Sequence, residues 1–349
     1  MRLKKNKLLI IALLFVIFAA FLSGCSPQKN HAKPLTKSNF LLGTIVDITI
    51  YDSMDEKIIY EAFDRISEIE NKMTINKGDT SEIIKLNEAS GLHEVSLSPD
   101  TFFVLERGKY YSELSGGNFD ITIGPVVKLW NIGTDYAAVP NSEELKEAIK
   151  LVDFNKLHLD KNKFEAKLDT KGMKVDLGAI AKGYAADEVA AILKKHGVKH
   201  AIINLGGNVL TIGGNVNGEP FKIGVQNPLN PRGDYMGILK ITDKTVVTSG
   251  IYEKYLEIDG KRYHHILDPK TGYPADNSLA GVSIITDKSI DGDGLSTSVF
   301  ILGLDRGMEL VESLDNVDAI FITTDKKVYI SKGLKDNFVL TNMEYTIAD

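Results

Sequence analysis

Five short segments of this chain set glycine, aspartate, asparagine or histidine inside apolar runs or at the starts of helices, positions where such residues serve ligands better than packing. They are residues 116–125 (GGNFDITIGP), 175–184 (VDLGAIAKGY), 204–209 (NLGGNV), 264–274 (HHILDPKTGYP) and 291–297 (DGDGLST). Glycines let backbone approach a ligand closely, and successive amides or a helix N-terminus can cradle a phosphate. Asp293 and Thr297 are four apart. If a helix begins there, both oxygens fall on one face and could take a hard cation such as Mg2+, with a carbonyl, phosphate oxygens and water completing the shell. His264 and His265 alternate sides if extended, so one of them suffices to face a cleft. Each segment alone has an ordinary reading. Gly-Gly pairs connect strands, Asp-Pro-Lys-Thr-Gly is a common turn, Asp176 reads equally as a helix cap, and Asp291 with Asp293 as a solvated turn. Ser296 and Thr297 can bond back to their own helix. Neither Gly-Gly pair forms a dinucleotide fingerprint or a P-loop. Together the five suggest a Mg2+-dependent phosphate or nucleotide site.

The elements that must position these groups follow from periodicity. Residues 43–51 alternate as a strand, and apolar residues from Ile58 to Ile69 recur at helical spacing within 55–73. Further helices are expected over 81–89, 100–114, 143–152 and 180–195, the last stopped by Gly197. Residues 198–209 read as a buried strand leading into Gly206-Gly207, and Gly213-Gly214 as a hairpin turn. From 220 to 285 the chain reads as strand and turn, 286–294 as a loop rich in aspartate and glycine, 295–302 as a buried helix and 318–331 as a terminal hairpin. Helices and strands intersperse without a regular βαβ period and no linker composition appears. The fold class expected is α+β, a single compact domain with mixed sheets and flanking helices.

The 349 residues carry a formal charge of −6. The first 24 contain four basic and no acidic residues (Arg2, Lys4, Lys5, Lys7), so residues 25–349 carry −10. That argues against nucleic acid as a partner, and no basic aromatic patch offsets it. The basic start is followed by an apolar run of fifteen residues, Leu8 to Leu22, and then by Leu22-Ser23-Gly24-Cys25. This resembles the lipobox of bacterial lipoprotein precursors, where cleavage precedes the cysteine and a diacylglyceryl group is attached to its sulfur. An ordinary cleaved signal or a single membrane anchor is the alternative, but the run is short of the ~20 residues a spanning helix needs. Cys25 is the sole cysteine, so no internal disulfide can form. The expected division is a signal peptide over 1–24, a lipidated tether over 25–38, one domain over 39–338 and a tail over 339–349. Membrane lipid through Cys25 would hold the protein at the extracytoplasmic side of the cell membrane.

The ordered set of motifs resembles the ApbE-type FAD:protein FMN transferases. It comprises Leu42-Gly43-Thr44, Gly117-Asn118-Phe119-Asp120 with Gly124-Pro125, the run from Val175 to Tyr184, and Asn204-Leu205-Gly206-Gly207-Asn208. His265-Ile266-Leu267-Asp268-Pro269 with Thr271-Gly272, and Asp293-Gly294-Leu295-Ser296-Thr297, complete it. Gly294 stands where the family often has alanine. The resemblance covers residues 40–335 and implies an ApbE-like, T-fold-related domain. It implies splitting of FAD at its pyrophosphate, release of AMP and attachment of FMN by a phosphoester to a threonine or serine hydroxyl of an acceptor flavoprotein domain, such as a subunit of a membrane redox complex. Carried over by position, Asp293 and Thr297 supply side-chain ligands to Mg2+ and Ala179 its carbonyl. Asp176, Lys182 and Gly117, Asn118, Phe119 and Asp120 line the FAD site, with Gly206, Gly207 and His265 at the nucleotide and catalytic cleft. His265 is the first candidate for the base that activates the acceptor hydroxyl and Asp293 the second. An FAD pyrophosphatase, with water as acceptor, and a non-catalytic flavin-binding lipoprotein are the competing readings.

Overall fold

The structure, a computed structural model, describes residues 33–76, 81–231 and 233–348. Cys25 and the segment before it lie outside the described residues. No helix among the described residues is long and apolar enough to cross a membrane. In chain order come β1 (Leu35–Leu41), β2 (Thr44–Ile50), α1 (Glu56–Met73), α2 (Glu82–Glu88), β3 (Val95–Ser96), α3 (Pro99–Leu114), α4 (Gly124–Trp130) and α5 (Ser142–Ile149). They are followed by β4 (Leu157–Asp160), β5 (Glu165–Leu168), α6 (Ala181–Lys195), β6 (Ala201–Leu205), β7 (Asn208–Ile212), β8 (Phe221–Gln226) and β9 (Tyr235–Ile241). Next are β10 (Thr245–Gly250), β11 (Tyr255–Ile258), β12 (Lys261–His264), β13 (Leu279–Thr286), α7 (Ser289–Leu302) and α8 (Leu304–Glu312). The last strands are β14 (Asp318–Thr323), β15 (Lys327–Ile330), β16 (Phe338–Leu340) and β17 (Thr346–Ile347).

Nine strands form one sheet in the order β1-β2-β6-β7-β10-β13-β14-β15-β17, antiparallel except for the last pair. Both faces of its centre are buried, and strand alternation sorts side chains between two layers. Val282 and Ile284 of β13 and Ala319 and Phe321 of β14 meet a core shared with α1, α6 and α7. Ile285, Ile320 and Ile322 point the other way, toward a small sheet of β16, β9 and β8. All eight residues of β13 are buried for this reason. A third cluster sets Trp130 and Leu145 against Leu267, and the Trp130 Nε1–H donates to the Gly272 carbonyl at 2.7 Å. That bond anchors the 268–272 turn.

The α+β class and the helices near 55–73, 81–89, 100–114, 143–152 and 180–195 agree with the sequence reading. Four expectations need correction. Gly206-Gly207 is itself the turn of a β6–β7 hairpin, with Leu205 opposite Asn208, rather than the end of one long strand. After Gly213-Gly214 the chain leaves the large sheet, because β8 pairs with β9 and not with β7. Helix α7 begins at Ser289, so the aspartates expected in a loop are helical. Lastly, the tether and tail boundaries fall within structure. Leu35 to Ser38 pair with β2, and beyond residue 338 the chain supplies most of β16 and all of β17.

Helices α1, α3 and α6 are tied by an ionic cluster. Arg65 contacts Asp100 at 2.9 Å, Glu68 at 2.8 Å and Glu188 at 2.7 Å, and the Tyr184 hydroxyl donates to Asp100 at 2.8 Å. Burial alone would raise the Asp100 carboxyl, but hydrogen bonds from Arg65, Tyr184 and Lys72 outweigh it and hold it well below the usual range. A depressed folded-state pKa gives stability that is present above the unfolded value and lost as the pH falls through the folded one. Asp100→Asn should therefore cost about 1–3 kcal/mol at pH 7. The gap from the parent should begin to narrow once the pH drops below about 4, where the unfolded carboxyl protonates, and keep narrowing as the pH falls toward the depressed folded-state value. Urea unfolding of both proteins from pH 7 to pH 2 reads this directly, and a gap that ignores pH would assign the cluster to packing.

Candidate active site

Helices α6 and α7 cap each other. Neither has a side-chain cap of its own. The Asp187 carboxylate of α6 accepts from the first amides of α7, Ser289 at 2.9 Å and Ile290 at 3.0 Å. In return Asp293 of α7 accepts from the Gly183 amide of α6 at 2.9 Å. That amide is one of those a helix's first turn leaves without an intrahelical partner, and Asp293 satisfies it. The crossing is so close that a Cβ at Gly183 would lie 2.2 Å from the Ser289 carbonyl oxygen.

Asp293 is 4% exposed, and its second oxygen accepts from Asn208 Nδ2 at 3.1 Å, with Lys182 Nζ at 3.7 Å. Asn208 is placed by the Gly206-Gly207 turn, whose two positive φ angles, 63° and 109°, suit glycine. A Cβ at Gly206 would also fall 2.2 Å from Thr44 Oγ1, which packs Leu42-Gly43-Thr44 against this turn. One helical turn past Asp293, the Thr297 hydroxyl lies 3.4 Å from Ser249 Oγ, which also donates to Ser296 at 2.9 Å. The glycine after Asp293 has a local cause. A Cβ at Gly294 would meet the Tyr111 ring at 2.4 Å, and that ring is held by Arg107, which bonds the Tyr111 hydroxyl and pairs with Asp291.

The two histidines part as alternation requires. His264 is buried against Phe300 and bonds the Ala275 carbonyl at 3.1 Å. His265 is half-buried, and its Nδ1 lies 3.2 Å from the Lys254 carbonyl. A carbonyl only accepts, so Nδ1 carries the proton and Nε2 presents a lone pair. Burial, reinforced by the Lys182 ammonium, lowers the imidazole to about 3 and keeps it neutral at physiological pH. Burial likewise raises the Asp176 carboxyl, against the opposing charges of Lys128, Lys254 and Lys182. Asp176 accepts from the Gly178 amide at 2.7 Å and caps no helix. Lys182 thus links Asp293, Asp176 and His265 into one electrostatic neighbourhood, with Ala179 and Thr297 on the same two helical segments.

The 117–120 segment divides. Asn118 accepts from Lys270 of the 268–272 turn at 3.1 Å, which joins this wall to the histidine strand. Phe119 lies in the core, and Asp120 spends both oxygens on Thr122 and the Phe154 amide. Phe119 and Asp120 thereby stiffen the wall that this segment forms. Lys254, Asn208, Ser249 and Asp187 were not singled out from sequence. Only Asn208 carried a signal, since it lies in register across the glycine turn. Among the described residues no three His, Cys, Asp or Glu side chains converge on a point. Any cation here would be held by one carboxylate with neutral oxygens, the donor set of a hard ion. Two open hollows of about 530 and 500 Å3 lie elsewhere, by the β3–β5–β4 sheet, and share no residue with this neighbourhood.

Known proteins match the chain over nearly its whole length. Residues 42–321 match the ApbE family. An FAD:protein FMN transferase of Klebsiella pneumoniae (strain 342) is 37% identical over 312 residues, covering 89% of this chain and 96% of that protein. One of Treponema pallidum (strain Nichols) is 34% identical over 341 residues, covering 93% and 94%. The crystal structure of the ApbE protein from Thermotoga maritima superposes with a TM-score of 0.79 at 30% identity, covering 87% of this chain and 98% of that one. Flavin transferase ApbE from Vibrio cholerae gives 0.78 at 27% identity, covering 88% and 99%. With the family matched across most of its length and the same fold in its solved relatives, this chain belongs to the ApbE family.

Proposed function

We propose that this protein is a Mg2+-dependent FAD:protein FMN transferase that joins FMN to a threonine or serine hydroxyl of an acceptor protein and releases AMP. The observation that carries the reading is the convergence on Lys182 of a buried carboxylate, Asp293, and a neutral histidine, His265, whose Nε2 is free to accept a proton. The names of its relatives supply the substrate class. The residues fit a hard cation: Asp293 retains lone pairs beyond its two N–H bonds, Thr297 offers a hydroxyl one turn along the same helix, and Ala179, just before the start of α6, offers a backbone carbonyl. When bound there, Mg2+ would polarise the pyrophosphate and take up charge on the transferring phosphoryl group.

The chain's own residues account for the rest. The acceptor hydroxyl oxygen attacks the phosphorus of the FMN half, its proton passes to His265 Nε2, the new O–P bond forms, and the bridging P–O bond breaks with its electron pair leaving on AMP. Lys182 offsets the phosphate charge, and the Lys254 carbonyl fixes the imidazole tautomer. His265→Asn should slow the chemical step about 100-fold while FAD affinity changes little. Equal rates in a single-turnover assay would remove the histidine from this role.

The lipobox resemblance supports a lipid anchor at Cys25 on the extracytoplasmic side, which metabolic labelling with a clickable fatty acid would test against Cys25→Ala. The decisive experiment for function incubates residues 26–349 with FAD, Mg2+ and a threonine-bearing acceptor domain, and follows acceptor mass and AMP together. A covalent FMN adduct with equimolar AMP is expected. AMP and free FMN with no adduct on two acceptors would replace the transferase by a pyrophosphatase.

A further inference from the structure

Lys254 occupies a place in this neighbourhood that its position in a strand-and-turn stretch does not foretell. Its carbonyl accepts from both the amide of His265 at 3.1 Å and the ring Nδ1 at 3.2 Å. Its side chain runs the other way. The Cδ lies 3.2 Å from where a Cβ at Gly133 would be, and the ammonium lies 3.9 Å from the same point at Gly43. The ammonium thus reaches the turn between β1 and β2, beside the Gly206-Gly207 hairpin that sets Asn208 on Asp293. Among the described residues no carboxylate lies within ion-pair distance of it, whereas Lys182 has Asp293 at 3.7 Å and donates to the Gly178 carbonyl at 3.2 Å. Asp176 and His265 both sense the Lys254 charge. A lysine whose backbone is clamped to a candidate base, and whose ammonium has no carboxylate in ion-pair contact among the described residues, suits a dianionic ligand.

We propose that the Lys254 ammonium is a second cation, alongside Lys182, that binds the pyrophosphate of the flavin dinucleotide substrate. This rests on the transferase reading above and adds a residue to it. Because the tautomer-fixing contact uses the backbone, Lys254→Met keeps that contact and the methylenes over Gly133 while deleting the charge.

Flavin fluorescence titrations in EDTA, with no turnover possible, test it with three probes. FAD should bind Lys254→Met about tenfold more weakly than the parent, FMN should weaken less, and riboflavin, which has no phosphate, should be unchanged. Lys254→Arg should restore FAD affinity, and the affinity of the Met variant should depend less on salt. Unchanged FAD affinity, or equal weakening of riboflavin, overturns the proposal while leaving the transferase intact. A parent protein that binds FAD neither in EDTA nor with Mg2+ restored removes both readings at once.

Discussion

Asp293→Ala should lower FMN transfer by about three orders of magnitude, the largest loss expected from any single side chain here. The carboxylate is buried, receives two N–H groups and faces Lys182, so its charge is strongly felt by its neighbours and poorly replaced by water. Its loss also strands the Gly183 amide and Asn208 Nδ2, at a cost of about 1–3 kcal/mol in stability. Asp293→Asn separates the two effects. It can still accept a hydrogen bond, so its melting temperature should lie nearer the parent's, while transfer should remain as low as in the alanine variant because the charge is gone. Adduct formation by mass spectrometry, set beside thermal melts, measures both. An asparagine variant with near-parental transfer would show that Asp293 serves the helix contact and not the chemistry.

The sequence spoke clearly where chemistry follows local spacing. Asp293 and Thr297 do share a face of one helix, and the alternation of His264 and His265 does send one inward and leave the other half-buried. It was silent where position is set from far away. Helix α7 starts six residues earlier than its apolar run suggests because Asp187, 102 residues before Ser289 in the chain, satisfies its first amides. No local cap announces that start, since Lys288 precedes it. Gly292 and Gly294 then look like loop residues, although Gly294 is glycine because the Tyr111 ring occupies the space a methyl would need. Lys254 had no signal at all, because its carbonyl and its ammonium act in different directions and one of them is backbone.

Gly183→Ala should destabilise the protein by about 3 kcal/mol or more and remove transfer even at temperatures where the variant stays folded. The added methyl would meet backbone, the Ser289 carbonyl at 2.2 Å and the Ile290 Cα at 2.6 Å, so no rotamer change can relieve it. Helices α6 and α7 must separate, and the separation acts on both reciprocal caps, Asp187 on α7 and Asp293 on α6. The same movement shifts Asp293 relative to Lys182 and the Ala179 carbonyl, where displacement of about 1 Å can cost a hundredfold in rate. Asp187→Ala weakens the crossing from its other end. If the caps act as one unit, the two substitutions together should destabilise less than the sum of each alone, by about 1 kcal/mol or more. Denaturant unfolding of the four proteins gives that coupling. Strict additivity, or a Gly183→Ala protein with the parent's stability and transfer, would mean the crossing yields readily and that Asp293 is oriented by its own helix alone.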